Sequence, residues 1–274
     1  MIAIVTDSTA YLNHDEAVEM GVVIVPMSYS FEGGPALNEG CIESDDHAER
    51  QVAAGIDHVH TSQAPLSGFL NAFRRLRRAG YEILCLTISS RLSGTYANAV
   101  LAAKELGGSH IEVVDSLTTC SGLYLLIREA RMRIRAGAKL SAVAREMCEL
   151  RKRVRMCFSV DDMTPLRRSG RLGNVRMSIS TVLNIKPILE LRDGAIVSSG
   201  LARGRVEQGR RLCAFCENVG GQIVVNSFLA DEAAARLTVQ LARDDREIER
   251  RRVGPVLGAH LGAGCVGVCY IERA

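Results

Sequence analysis

Four apolar runs in the first half of the chain each stop at a short polar turn, and this repetition restricts the fold more than any other feature. Residues 2–5 lead into Asp7-Ser8-Thr9-Ala10, and a short run around Val59 leads into Thr61-Ser62-Gln63-Ala64-Pro65. Residues 81–88 lead into Ser89-Ser90-Arg91-Leu92-Ser93-Gly94-Thr95, and residues 111–114 into Asp115-Ser116. Apolar runs of this length read as buried strands. Helical patterns at 66–79, 96–106 and 120–136 separate or follow them, and residues 22–26 supply another strand. Strand and helix in alternation predict an open, mostly parallel sheet with helices on both faces. Ligands of such sheets bind beyond the carboxyl ends of the strands, so the four polar turns are expected to converge on one edge.

The pattern changes past an amphipathic helix at 139–153. Residues 156–160, 223–226 and 266–271 read as strands, and 186–191 with 195–198 flank Asp193-Gly194, a hairpin signal. Helices are expected at 205–218 and 231–243. The chain therefore divides into an N-terminal parallel α/β domain, 1–154, and a second α/β domain with a largely antiparallel sheet, 155–274. With no low-complexity linker, the halves should pack directly and hold a ligand in the cleft between them.

The turn at 89–95 carries four hydroxyls, a glycine and no carboxylate. A strand that ends in such a turn and opens a helix offers free backbone N–H groups and the positive end of a dipole, which suits an anion. Thr61-Ser62-Gln63 has the same character, and Pro65 fits the first turn of the helix after it. Each turn taken alone also reads as an ordinary helix cap.

In order and spacing, Asp7-Ser8-Thr9-Ala10, Thr61-Ser62-Gln63, Ser90-Arg91-Leu92-Ser93-Gly94-Thr95-Tyr96 and Val114-Asp115-Ser116 resemble the DegV family of bacterial fatty-acid-binding proteins. The likeness continues through Gly170-Arg171-Leu172, Asn184-Ile185-Lys186-Pro187-Ile188-Leu189 and the segment from Gly254 to His260. It implies a long-chain fatty acid bound in a tunnel closed by the second domain, with its carboxylate held by Thr61 and Ser93, the Gly94 N–H and His260. Ser62 and Thr95 are second choices, and Arg171 matches an arginine at the entrance or partner contact. The resemblance further implies a carrier rather than an enzyme, one that presents the carboxylate to a separate ATP-dependent fatty acid kinase for acyl-phosphate formation and phospholipid synthesis. Ala259, Ala263 and Asn226 depart from the family pattern, where threonine, proline and histidine are usual.

Other readings have less support. Ser93, His260 and Asp115 could form a hydrolase triad, making the chain a serine esterase, but no G-x-S-x-G elbow is present. A lipid-sensing regulatory protein is a third class. Residues 262–267 spell G-x-G-x-x-G, yet a strand follows where that fingerprint opens a helix. No Gly-Lys pair offers a phosphate loop, so no nucleotide cofactor is expected. Cys213 and Cys216 sit one helical turn apart without a second pair, and His14, His47, His58, His60 and His110 are scattered, so no metal site is expected.

Aromatic residues make up 4% of 274 residues and tryptophan is absent, against 47% hydrophobic residues. The core must be aliphatic, and stacking platforms for single-stranded nucleic acid are disfavoured. A net charge of +3 calls for no nucleic acid either. Arginines cluster at 74–78, 151–153, 167–168 and 250–252, as solvated helix faces or as contacts for an acidic partner or, transiently, a membrane surface. Asp7 interrupts the apolar start and no run approaches a membrane span, so a cytoplasmic protein with its nine cysteines as thiols is expected.

Overall fold

A computed structural model describes residues 1–42, 46–108, 110–172 and 184–273. The strands of the first part are β1 (Ile2–Asp7), β2 (Val22–Val25), β3 (Met27–Phe31), β4 (Leu37–Glu39), β5 (Val59–Ser62), β6 (Glu82–Thr87) and β7 (Ile111–Asp115). Its helices are α1 (His14–Glu19), α2 (His47–Ala54), α3 (Leu66–Arg78), α4 (Thr95–Glu105), α5 (Cys120–Arg135) and α6 (Leu140–Leu150). The chain continues through β8 (Val154–Ser159), α7 (Thr164–Arg168), β9 (Ile185–Arg192), β10 (Ala195–Arg203) and α8 (Gly204–Phe215). It ends with β11 (Gly221–Phe228), α9 (Asp231–Leu241), β12 (Arg246–Arg252), α10 (Pro255–Leu261) and β13 (Cys265–Ile271).

The aliphatic runs form a parallel sheet in the order β2-β1-β6-β7. Helices cover both faces, so Ile4, Val5, Ile83, Leu84 and Leu86 are all buried without the alternation of a half-exposed strand. Helix α3 packs through Phe69 and Phe73, one turn apart, and ends in Arg75, Arg77 and Arg78, where cations suit the helix dipole. Asn13 and Glu16 close α1 with a reciprocal capping box.

From Val154 onward the strands build a second sheet, β10-β9-β8-β13-β11-β12. Every pairing is antiparallel except β11 with β12. Asp193 and Gly194 turn the β9–β10 hairpin at φ 47° and 80°, the left-handed pair that a two-residue turn requires. Alternate residues of this sheet serve two cores. Met156, Phe158, Leu189 and Val224 face the first part of the chain. Cys157, Ile188, Val225 and Val268 face α8 and α9. Helix α5 lies between the two sheets, which explains why every residue from Cys120 to Ile127 is buried.

One difference from the sequence reading affects the site. Thr61 does not follow a strand of the parallel sheet. Its strand β5 pairs antiparallel with β3 in a separate small sheet, β4-β3-β5. Pro26 explains the split: it ends β2 and hands the chain to β3, which runs in another sheet. Among the described residues no helix is long and apolar enough to cross a membrane.

Candidate functional site

Three of the four polar turns cap the parallel sheet, and two of them are chiefly structural. Asp7 accepts the Thr9 N–H at 3.0 Å, the Thr9 hydroxyl at 2.6 Å and the Ile88 N–H at 2.7 Å, tying the end of β1 to the end of β6. Burial raises its carboxyl, and these bonds pull it back. Asp115 accepts the Ser90 and Leu117 N–H groups, each at 3.1 Å, and so shapes the loop that carries Ser93. The ordinary capping reading holds for Asp7, which caps the short turn at Ser8–Ala10, but not for Asp115, which braces two loops while Thr119 is the residue that precedes α5.

The remaining polar groups meet at one end of a cavity of about 390 Å³ that Thr61, Ser62, Ser93, Gly94, Arg171 and His260 help to line. This volume lies in the range of small-molecule sites. Thr61 Oγ1 and His260 Nε2 are 2.9 Å apart, joining β5 to α10 across 199 residues of sequence. Burial first, then the Arg171 and Arg168 cations, hold the His260 imidazole down to about 4. It is therefore neutral near pH 7, and its tautomer decides whether Thr61 donates or accepts.

Ser93 Oγ accepts the Thr95 N–H at 3.3 Å and lies 2.9 Å from Thr95 Oγ1. Thr95 Oγ1 in turn accepts the Ala64 N–H at 3.2 Å. Either hydroxyl can donate; where Thr95 does, the Ser93 proton is left for a ligand. Thr95 is fully buried and does not line the cavity, so it positions Ser93 and the β5–α3 turn. Gly94 lies under the exposed Gln63 side chain, where a Cβ would come within 2.1 Å of Gln63 Oε1 and oblige that flexible amide to move. Arg171 is exposed, with Nη1 donating to Ser169 O at 2.5 Å and Nε to Leu92 O at 3.4 Å.

The rest of the cavity is mostly apolar. Leu191, Ile196, Met156, Phe158 and Cys265 form a floor on one face of the second sheet, and Val253, Val256 and Leu257 form a wall beside α10. Gly267 sits opposite Phe158 with no side chain, and a Cβ there would come within 2.6 Å of Phe158 Cβ.

Sequence reasoning missed what holds α10 in place. Glu39 on β4 is buried and accepts the Val256 N–H and the Ser8 hydroxyl, each at 2.7 Å. Tyr11 takes the next N–H, that of Leu257, at 3.2 Å. The orphan donors at the start of α10 are thus met from two other parts of the chain. Glu39 lies in a short strand with no motif around it, so no local signal pointed there. Among the described residues no three His, Cys, Asp or Glu side chains gather as a metal site. Cys216 is buried and Cys213 half-buried, both as free thiols.

A two-domain α/β protein with an apolar cavity and its hydroxyls and imidazole at one end is the class that fold and site define. The sequence model of the DegV family matches residues 1–273, and the chain belongs to that family. A DegV domain-containing protein of Halalkalibacterium halodurans is 32% identical, covering 99% of each chain. Two solved structures are similar along 99% of both chains. One is a fatty-acid-binding DegV family protein from Thermus thermophilus, 28% identical with a TM-score of 0.87. The other is DegV, a fatty acid binding protein from Bacillus subtilis, 27% identical with a TM-score of 0.85.

Proposed function

We propose that this chain binds one long-chain fatty acid non-covalently and presents its carboxylate to a separate ATP-dependent fatty acid kinase. The observation that carries the reading is the division of the cavity: Thr61, Ser93, Gly94 and His260 gather at one end, and an aliphatic floor and wall extend from them. The binding function of the two similar structures supports it. Thr61 and Ser93 donate hydroxyl hydrogen bonds to the carboxylate, and the start of α4 adds N–H groups and positive potential. Arg171, exposed and among the residues that line the cavity, is the contact for the partner on this reading.

Magnitudes divide the work. At about 0.8 kcal/mol per buried CH₂, a chain of about fifteen methylenes gains on the order of 12 kcal/mol before the costs of association. Each hydrogen bond to the charged head adds about 1.5–3 kcal/mol. The floor supplies affinity, and the hydroxyls fix depth and orientation. Ester hydrolysis by Ser93 and His260 fits the geometry less well, because the imidazole is bonded to Thr61 and Asp115 to backbone N–H groups.

Native mass spectrometry of protein purified without detergent, followed by solvent extraction, tests the reading. A stoichiometric, unesterified long-chain fatty acid is expected. Protein that carries none and takes up none when it is added would refute it.

A further inference from the structure

The floor of the cavity carries one amide in an otherwise apolar surface. Asn226 on β11 stands opposite Gly267 on β13, which stands opposite Phe158 on β8, so the three share a row and a face. Asn226 is 7% exposed, and it lines the cavity together with Gly267. Its Oδ1 accepts the hydroxyl of Ser121 in the first turn of α5, so the amide NH₂ remains as donor. Thr119 also lines the cavity and is 7% exposed. Its hydroxyl has no hydrogen-bond partner among the described residues. That hydroxyl is itself closed off from the cavity, so the amide of Asn226 is the group a ligand meets.

These groups lie away from the head-group cluster. The second sheet runs β10-β9-β8-β13-β11, with Ile196 on β10 and Asn226 on β11 both lining the cavity. Leu172, next to Arg171, bridges Ile196. From there to Asn226 is four strand spacings, about 19 Å. Val253, whose N–H donates to Ser227 O at 2.8 Å, sits beside Asn226, while His260 closes the other end of α10. A fatty acid held by its carboxylate at Thr61 and Ser93 would lay the far part of its chain over Asn226.

We infer that this far end reads an oxygen on the acyl chain, so that the ligand is a hydroxy or oxo fatty acid, with Asn226 donating to that oxygen. The inference rests on the fatty-acid reading. A plain alkyl chain would strip the amide of water and return nothing to it, whereas an oxygenated chain restores a hydrogen bond.

Isothermal titration with stearate and with hydroxystearic acids, their hydroxyl walked from mid-chain to the methyl end, tests it. At least one isomer is expected to bind the wild-type protein about tenfold more tightly than stearate, the value of one hydrogen bond. Asn226→Leu should bring that isomer level with stearate or below it. Because Asn226→Leu also breaks the bond to α5, Ser121→Ala serves as control: it breaks the same bond, keeps the amide and should keep the preference. Stearate bound with no isomer favoured, or a preference unchanged in Asn226→Leu, would overturn this inference and leave the fatty-acid reading standing. No binding of any of these acids would overturn both.

Discussion

Replacing Glu39 by glutamine should stabilise the protein at pH 8 and leave it nearly unchanged at pH 5. Burial is the largest influence on this carboxyl and lifts it from 4.5 to about 7, with Asp7 and Glu49 adding repulsion. The Val256 N–H and the Ser8 hydroxyl oppose that rise without cancelling it. The folded protein therefore holds its proton more tightly than the unfolded chain does. Stability from a raised group is complete below the unfolded value of 4.5 and is lost as pH rises to about 7. At 1.36 kcal/mol per tenfold change in proton affinity, the loss is about 3 kcal/mol and flattens above pH 7. Glutamine keeps the shape, accepts the Val256 N–H with its oxygen and can donate to Ser8 Oγ. Urea unfolding of both proteins at pH 5 and pH 8 reads the effect. A stability difference that is the same at both pH values would refute the argument, because then ionisation of Glu39 costs the folded state nothing.

Thr61→Ala combined with Ser93→Ala should weaken fatty-acid binding at least about a hundredfold, two charged hydrogen bonds being lost. Titration with the acid and its methyl ester should show the double variant losing most of its discrimination between them; wild-type discrimination would contradict the assignment. Arg251→Ala should cost about 1.5–3 kcal/mol in chemical unfolding, since it removes a buried guanidinium from two half-buried carboxylates and a backbone carbonyl. Its guanidinium bonds Glu16 at 2.6 and 2.8 Å, Glu249 at 2.8 Å and Tyr11 O at 2.7 Å, and lies over the Tyr124 ring at 3.7 Å. Arg251→Met should lose less if desolvation offsets much of the pairing. In a histidine NMR titration, His260 should stay neutral until about pH 4, lowered by burial first and then by Arg171 and Arg168. Stability from this depressed imidazole is present above the unfolded 6.5 and lost as pH falls to about 4, the opposite slope to that of Glu39. Bound fatty acid should move the resonance's midpoint upward, and a midpoint near 6.5 without ligand would contradict the burial argument.

What the sequence disclosed follows from how strongly each segment is determined locally. The strands β1, β6 and β7 are aliphatic because helices bury both faces, and Asp193-Gly194 marks its hairpin because only a left-handed pair fits there. The small sheet stayed hidden because its strands are three to five residues long and half exposed, so neither length nor alternation marks them. Strand β12 reads Arg-Glu-Ile-Glu-Arg-Arg-Arg, a charged sequence that suits an edge and gives no strand signal. Helix α10 is seven residues long with a glycine inside, too short to show a period. The hydroxyl turns were visible as a set, but the pairing of Thr61 with His260 was not. It depends on two segments that meet only through the packing of α10 on β3 and β5.

The electrostatics of the head-group end explain why an imidazole stands there rather than a lysine or a third arginine. Arg171 and Arg168 already bear on the spot, and Arg168 is anchored by Asp57 at 2.5 Å. A further permanent cation buried among them would meet both repulsion and the cost of desolvation. A neutral imidazole avoids both and still gives Thr61 a hydrogen-bond partner. A carboxylate bound at Thr61 and Ser93, as proposed, would change the balance. It would offset the guanidinium charges and stabilise a protonated His260, so the same side chain could follow the ligand from neutral to charged. On the proposed fatty-acid reading, burial and the two arginines would make His260 responsive to an anion whose place the hydroxyls of Thr61 and Ser93 set.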